Sequence, residues 1–513
     1  MSHLISGTFV LEEWQAFNYC PLMLNLLALA ILYALFQTAY NLLYHPLHRF
    51  PGPKCFAATP LPYVFASYSG CLATRLHKLH ERYGPVVRTA PNELSFIDPS
   101  AWPTIYGRKN RSQQPFRKNY DSFNETRSQI RRSLYLANEE DHARARKLLN
   151  LAFSPEALRA QEPLLQGHVH ELLNGIESET DVGPVDLEKW FTYFAFDVVG
   201  ETSFGEPFNC VKEPSHRAWP RMLSRARKII TGISGLKLLV PSSIFCWMPV
   251  SQNSPLQRTV LQSVVNRLNF DLQKVEKRIV SKPDRGDVLS ALIRVNEEKK
   301  ALDNTEIMAN AALFILAGTE TVATLLCAVI YLLTQNSVAL DRLTREMREV
   351  FQDESQLTLH NLSKMTYLTA CIDEALRLVP PVPEGLPRVT PPEGESICGC
   401  WVAVQISTLA ASWSTSNFVR PLSYEPERWL ENKSSCYASD NMQASQPFST
   451  GPRNCLGQSL ALSEVRLVIA NLIRKFDIEC TMQKSWIEQP TYLLWEKKPL
   501  LVKLTPLQSF STQ

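Results

Sequence analysis

Glycine is scarce in this 513-residue chain, at 19 residues, and neither charge is in surplus: 53 basic against 50 acidic side chains leave a net charge of +3. No long basic run is present, which argues against nucleic acid as the main partner. The 12 cysteines include no C-x-x-C pair, and Cys398 and Cys400 are too isolated to form half of a zinc site. What the chain does have is apolar mass. A composition that is 45% hydrophobic and 10% aromatic excludes a mainly disordered protein. Length alone suggests about three domains at roughly 150 residues each. The scattered cysteines read as reduced, small buried hydrophobes.

Residues 21–44 read PLMLNLLALAILYALFQTAYNLLY, without one charged side chain. About 20 such residues cross a hydrocarbon core as a helix, and the run is too long for the apolar part of a signal peptide. Tyr33, Tyr40 and Tyr44 suit a membrane interface. A buried amphipathic helix is the alternative. Glu12 and Glu13 precede the run, and His45, His48, Arg49 and Lys54 follow it. The positive-inside tendency then leaves 1–20 lumenal and the bulk of the chain cytosolic. Pro46, Pro51, Pro53, Pro60 and Pro62 predict a stiff, extended linker over 45–62. Beyond it no repeat or low-complexity tract breaks 63–513, which is expected to form one large domain.

One cysteine departs from the rest. Residues 448–457 read FSTGPRNCLG, placing Phe448, Gly451, Arg453, Cys455 and Gly457 at the fixed positions of F-x-x-G-x-R-x-C-x-G. A helical run, LGQSLALSEVRLVIANLIRKF, follows at once. A helix amino terminus stabilises an anion, hence a thiolate, and a thiolate on haem iron assists O–O cleavage. Gly451 permits a sharp turn, and Gly457 permits close approach to a flat porphyrin face. Arg453 suits a haem propionate, and Phe448 can shield the sulfur from water.

This segment resembles the haem-binding loop of the cytochrome P450 superfamily, and further motifs follow in that family's order. Asp303-Asn304-Thr305-Glu306 is a capping box opening an apolar run to about Gln335. At 1.5 Å per residue such a helix spans about 48 Å. A second membrane span is the other reading of it, disfavoured by a central Glu. Its middle reads Ala317-Gly318-Thr319-Glu320-Thr321. The resemblance implies that Gly318 leaves room for oxygen and substrate and that Glu320 and Thr321 manage protons, with Val322 where many members carry a second hydroxyl.

Glu374 and Arg377, three apart, share a helix face. With Pro426-Glu427-Arg428-Trp429 they resemble the family's E-x-x-R and P-E-R-[FW] pair. That likeness makes Glu374, Arg377 and Arg428 a buried charge network holding the cysteine loop. Six prolines in 379–392 exclude helix and suit a turn into a small sheet. Arg388 is the residue expected to reach a propionate from there. His142 and Arg146, four apart, are expected to hold a propionate too, with His142 where Trp is commoner. Arg144 and Lys147 then face outward, toward an acidic electron donor. A short Pro/Gly-rich turn, usual in related fungal members near 402–405, is missing, so a hairpin at the pocket is expected to be cut short.

Taken together, the resemblance implies a mainly α fold with a small β-rich portion, preceded by a single transmembrane helix. The implied activity is that of a haem-thiolate monooxygenase with haem b on Cys455, inserting one oxygen atom of O2 into a hydrophobic small molecule by hydroxylation or epoxidation. Electrons come from NADPH-cytochrome P450 reductase, and the site is the endoplasmic reticulum membrane. DHARARKLLNLAFSPEAL, PPVPEGLPRVTPP, STSNF and PERWL look like fungal secondary-metabolism enzymes, nearest the trichothecene hydroxylase-like group. A desaturase or isomerase without net oxygen insertion, and an inactive relic with an altered pocket, are the alternatives. Substrate recognition is expected from 112–135 and 231–250.

Overall fold

The computed structural model describes residues 6–107, 116–118, 133–237, 255–281, 287–299, 302–391 and 402–507. The helices that place the site are numbered here in chain order. Helix α1 (Ser6–Leu43) runs through Pro21 and so begins earlier than the apolar run predicts. Its stretch Met23–Leu43, 21 residues with a mean hydropathy of 1.7 and none buried, is long and apolar enough to cross a bilayer.

The proline-rich segment is not an extended spacer. It forms a 3-10 turn (Pro46–Arg49) and two short helices, Lys54–Ala58 and Leu61–Tyr68. Leu47, Phe56 and Ala57 are buried, and Arg88 N–H donates to the Pro51 carbonyl at 2.8 Å. Proline fixes φ at a helical value and lacks only an N–H that a first turn leaves unused, so these prolines start short helices instead of straightening the chain.

Among the described residues three small sheets follow. β1 (Val86–Ala90), β2 (Glu93–Phe96), β3 (Arg117–Lys118), β5 (Arg388–Val389) and β6 (Ala403–Ile406) form one in the order β1-β2-β6-β5-β3. β4 (Val185–Asp186), β10 (Leu501–Pro506) and β7 (Phe476–Cys480) form a second. β8 (Thr491–Tyr492) and β9 (Leu494–Trp495) make a hairpin. Residues 403–406, where the short turn usual in related members is missing, are strand. Arg388 pairs with Val404 and Val389 with Ala403, so β5 and β6 pair as a hairpin whose connecting 392–401 lies outside the described residues.

The remainder is mainly helical. The site is carried by α2 (Glu139–Ala152), α3 (Pro155–Thr180), α4 (Leu187–Phe204), α5 (Ala218–Lys237), α6 (Asn304–Gln335), α7 (Thr366–Leu378) and α8 (Gln458–Lys475). Helix α6 starts where its capping box predicts: Asp303 accepts from Glu306 N, and the Glu306 side chain accepts from Asp303 N. It packs against α4, α7 and α8, and every residue from Val322 to Leu333 is buried. With 61% of its apolar window buried in the protein, α6 is a core helix, and the membrane-span reading of it fails. One continuous apolar cluster draws residues from Ala73 to Leu504 around it. A second lies under the five-stranded sheet, with Leu94, Trp102, Val404 and Ile406.

Candidate active site around Cys455

The cysteine loop is closed by a hydrogen bond from Cys455 N–H to the Phe448 carbonyl at 2.9 Å. Ser449 (φ 59) and Gly451 (φ 76) turn it through the left-handed region. A Cβ on Gly451 would lie 1.9 Å from the Tyr106 carbonyl oxygen, so only glycine fits. A Cβ on Gly457, by contrast, would meet nothing within 4 Å. Gly457 is also the N-cap of α8 and supplies no side-chain cap, leaving the helix amino terminus open toward the cysteine. Cys455 is a free, exposed thiol. Its surroundings push the thiol up by desolvation, while the Gly457 N–H and the Arg146 guanidinium pull it down. Phe448 is half-buried against the main core.

Beside the loop stands a cluster of buried basic residues. Lys118 on β3, His142 on α2 and Arg388 on β5 are 6%, 4% and 3% exposed, and the Arg453 side chain is 9% exposed. Arg453 bonds to Ala137 O at 2.8 Å and pairs with Glu139 at 3.1 Å. Arg388 lies over the Tyr106 ring. Yet one terminal nitrogen, Nη1, of each arginine is buried without a partner. The cluster repels itself. Burial, then Arg453, Arg146, Lys118 and Arg388, push His142 down to about 3, and burial followed by the two arginines pushes Lys118 down. Buried cations with unspent donors call for a polyanion. An open thiol at a helix amino terminus, a glycine without a neighbour and two unspent guanidinium nitrogens fit a haem and its two propionates.

Two of the other three basic residues of α2 are already engaged. Arg146 donates to Asn454 O at 2.6 Å and Asn454 Oδ1 at 2.8 Å, gripping the residue before the cysteine. Arg144 pairs with Glu306 on α6, with Nη1 to Oε2 at 3.1 Å, and is not free to face a donor protein. Lys147 is exposed.

On α6, Leu316 (39% exposed) and Ala317 lie open in the middle of the helix, while Val322–Leu333 are all buried. Thr321 Oγ1 donates back to Ala317 O at 2.7 Å, and Thr324 to Glu320 O at 2.7 Å. Such back-bonds loosen a helix at that turn. A Cβ on Gly318 would come 2.6 Å from Val199 of α4, so its bare backbone serves helix packing. Glu320 is ion-paired with Lys497. Desolvation opposes its charge, but Lys497 and Arg227 outweigh it and hold the carboxyl below its usual range.

Glu374, Arg377 and Arg428 are fully buried. Arg377 grips Glu374 at 2.7 and 2.8 Å, Arg428 Nε donates to Glu374 at 3.0 Å, and Trp429 Nε1 does so at 2.8 Å. Arg428 also pairs with Asp440. The spare donors of Arg377 close on Ser412 O, Pro421 O and Ser423 O, tying α7 to the strand of chain leading into the cysteine loop.

Sequence reasoning missed Lys118, Asp440 and Lys497. Each partner lies from 12 to over 170 residues away in sequence, and no local spacing marks them. Of the stretches expected to bind substrate, 112–115, 119–132 and 238–250 lie outside the described residues.

The profile of the cytochrome P450 family matches residues 57–504. The chain is 38% identical over 482 residues to the cytochrome P450 monooxygenase atr2 of Stereocaulon alpinum, covering 92% of this chain and 93% of that protein. It is 36% identical to the monooxygenase lcsI of Purpureocillium lilacinum, over 96% of each chain. It is 35% identical to averantin hydroxylase of Dothistroma septosporum, over 93% of this chain and 90% of that protein.

Proposed function

The chain belongs to the cytochrome P450 family, a family of haem monooxygenases, and we propose from that premise that Cys455 is the axial ligand of its haem. The observation that carries this is the free, exposed Cys455 thiol at the uncapped start of α8, set beside guanidiniums with unspent donors. When bound, haem supplies iron that activates O2 for insertion of one oxygen atom. The protein supplies the rest. Arg453 and Arg388 would hold the propionates through their unpartnered Nη1 groups, with His142 and Lys118 beside them. Arg146 fixes the loop by gripping Asn454. Gly457 leaves the flat face open, and Phe448 closes the sulfur from water. Thr321 and Glu320, at the open turn of α6, would hold and move protons.

An oxygenase of this family uses O2, a hydrophobic substrate and a redox partner. For this chain we assign the membrane-bound NADPH-cytochrome P450 reductase as that partner and hydroxylation as the reaction, which the averantin hydroxylase relative favours. The apolar helix Met23–Leu43 supports a single span, in the endoplasmic reticulum membrane, with the catalytic residues on the cytosolic side. Its place is fungal secondary metabolism, where the relatives belong. Deleting the gene and profiling metabolites tests this directly. A more reduced precursor lacking one oxygen atom should accumulate, and an unchanged profile would refute the oxygenation role.

A further inference from the structure

Glu93 on β2 and Glu384 in the turn before β5 are buried acids, each 9% exposed, with no part in the site described above. The β8–β9 hairpin is tied to one of them at its tip. Thr491 Oγ1 donates to Glu384 at 3.1 Å, and the Leu493 N–H donates to the same carboxyl. Leu493 is the tip itself, between the paired Tyr492 and Leu494. Its φ of 64° is left-handed, a conformation that a leucine keeps only where its surroundings hold it there. We propose that the β8–β9 hairpin is a strap across the way to the site, latched at its tip by Glu384 and opened when the Glu93–Glu384 pair gives up its protons to solvent.

The hairpin is gripped through both its acceptors and its donors. Arg227 of α5 donates to Leu494 O at 2.9 Å and to Trp495 O at 3.2 Å. Besides Glu384, the Gly70 carbonyl takes a donor, the Thr491 N–H, at 2.8 Å. A Cβ on Gly70 (φ 70) would lie 2.6 Å from Pro490 Cβ, so the strap is pressed onto that turn. β8 packs against the short helix Leu61–Tyr68 and α5, and β9 packs against α6. The hairpin therefore stands between the segment that follows α1 and the helix that carries Thr321. Glu93 accepts from Gln405 of β6 at 2.9 Å and from the hydroxyl of Tyr63, on that same short helix. Burial pushes Glu93 up to about 7 against the Tyr63 bond, and the charge of Glu384 adds to the push. Burial pushes Glu384 up to about 7 as well, against Thr491, the Leu493 N–H and Arg227. The other charged groups at the hairpin, Lys228 of α5 and Glu496, pair with each other at 2.8 Å. Opening wets both acids and returns them to the ordinary carboxylate range. The closed strap thus holds protons that the open one releases, and closure weakens as pH rises through about 7. No electrons move.

Hydrogen exchange of the full-length ferric protein, read by mass spectrometry, tests the motion without turnover. After correction for the intrinsic pH dependence of exchange, peptides spanning 491–496 should lose protection by about tenfold or more between pH 6 and pH 8. Peptides from the buried part of α6, Val322–Leu333, should not change. Glu384→Gln keeps an acceptor for Thr491 and Leu493 but cannot ionise, and Glu93→Gln removes the other charge, so each should flatten the dependence. Protection at 491–496 that is independent of pH in the parent, or equally dependent on it in both variants, overturns the proposal. If Glu384→Gln does not fold, Glu93→Gln decides, and an unchanged pH dependence there is equally fatal. The strap's role as a gate rests on the haem monooxygenase reading, and it has its own readout. The association rate of clotrimazole, a bulky azole, read from the ferric Soret shift, should rise over the same pH interval in the parent and stay flat in Glu384→Gln. A flat rate in the parent overturns the gate. A native ferrous carbon monoxide spectrum alongside that failure would leave the haem-thiolate reading standing.

Discussion

Two glycines of the cysteine loop have opposite surroundings, and that contrast separates support of the loop from support of the cofactor. Gly451 is pressed on Tyr106 O in a left-handed turn, whereas a Cβ on Gly457 meets no protein atom within 4 Å. Gly451→Ala should therefore prevent the loop from forming and abolish haem retention. Gly457→Ala should leave the stability of haem-free protein within about 0.5 kcal/mol of the parent, while haem affinity falls by tenfold or more. Thermal melts with and without haem measure both effects. The motif around Cys455 was legible because its chemistry is local, packed into ten residues. Arg146 was legible in place and not in role. Spacing put it near the loop, but only the fold shows its guanidinium committed to Asn454.

Among the elements, α6 was readable from end to end because an Asp/Glu capping box opens it and Asn336 closes it. The same apolarity that left it open to a membrane reading is what buries it among α4, α7 and α8. The proline-rich 45–62 misled because proline signals both spacer and helix start, and only packing decides between them. The Glu374–Arg377–Arg428 network joins α7 to the approach of the cysteine loop, and Asp440 completes it from a position no motif marks. Removing one member strands a buried charge. Arg377→Ala should cost about 3–5 kcal/mol, read from urea unfolding, with haem loss accompanying it. A change of under about 1 kcal/mol would show that the network is not holding the loop.

Across the whole molecule, the near-neutral net charge conceals local imbalances that make stability depend on pH. Burial raises Glu93 and Glu384 to about 7 each. Glu93 on β2 accepts from Gln405 on β6 at 2.9 Å, within the five-stranded sheet, and Glu384, in the turn before β5, accepts from Thr491 on β8 at 3.1 Å. Their folded-state values lie above the unfolded one, so the native state binds more protons over that interval. Stability from this pair is present below about pH 4.5 and is lost as pH rises through about 7. Glu384→Gln should remove part of that slope and make the protein more stable at pH 8 than the parent, by about 1–3 kcal/mol. His142, depressed to about 3, acts in the other direction. Its contribution is present above about pH 6.5 and is lost on acidification toward 3.

The central claim is that Cys455, alone among the cysteines, binds the haem iron as a thiolate. The most direct measurement is the ferrous carbon monoxide difference spectrum of the purified full-length protein, with haem supplied. The parent and Cys436→Ala, which changes an exposed cysteine away from the loop, should both show the strongly red-shifted Soret band of thiolate-ligated haem. Cys455→Ala should lose it. A red-shifted band that survives in Cys455→Ala, or haem bound in the parent without that band, would contradict the assignment.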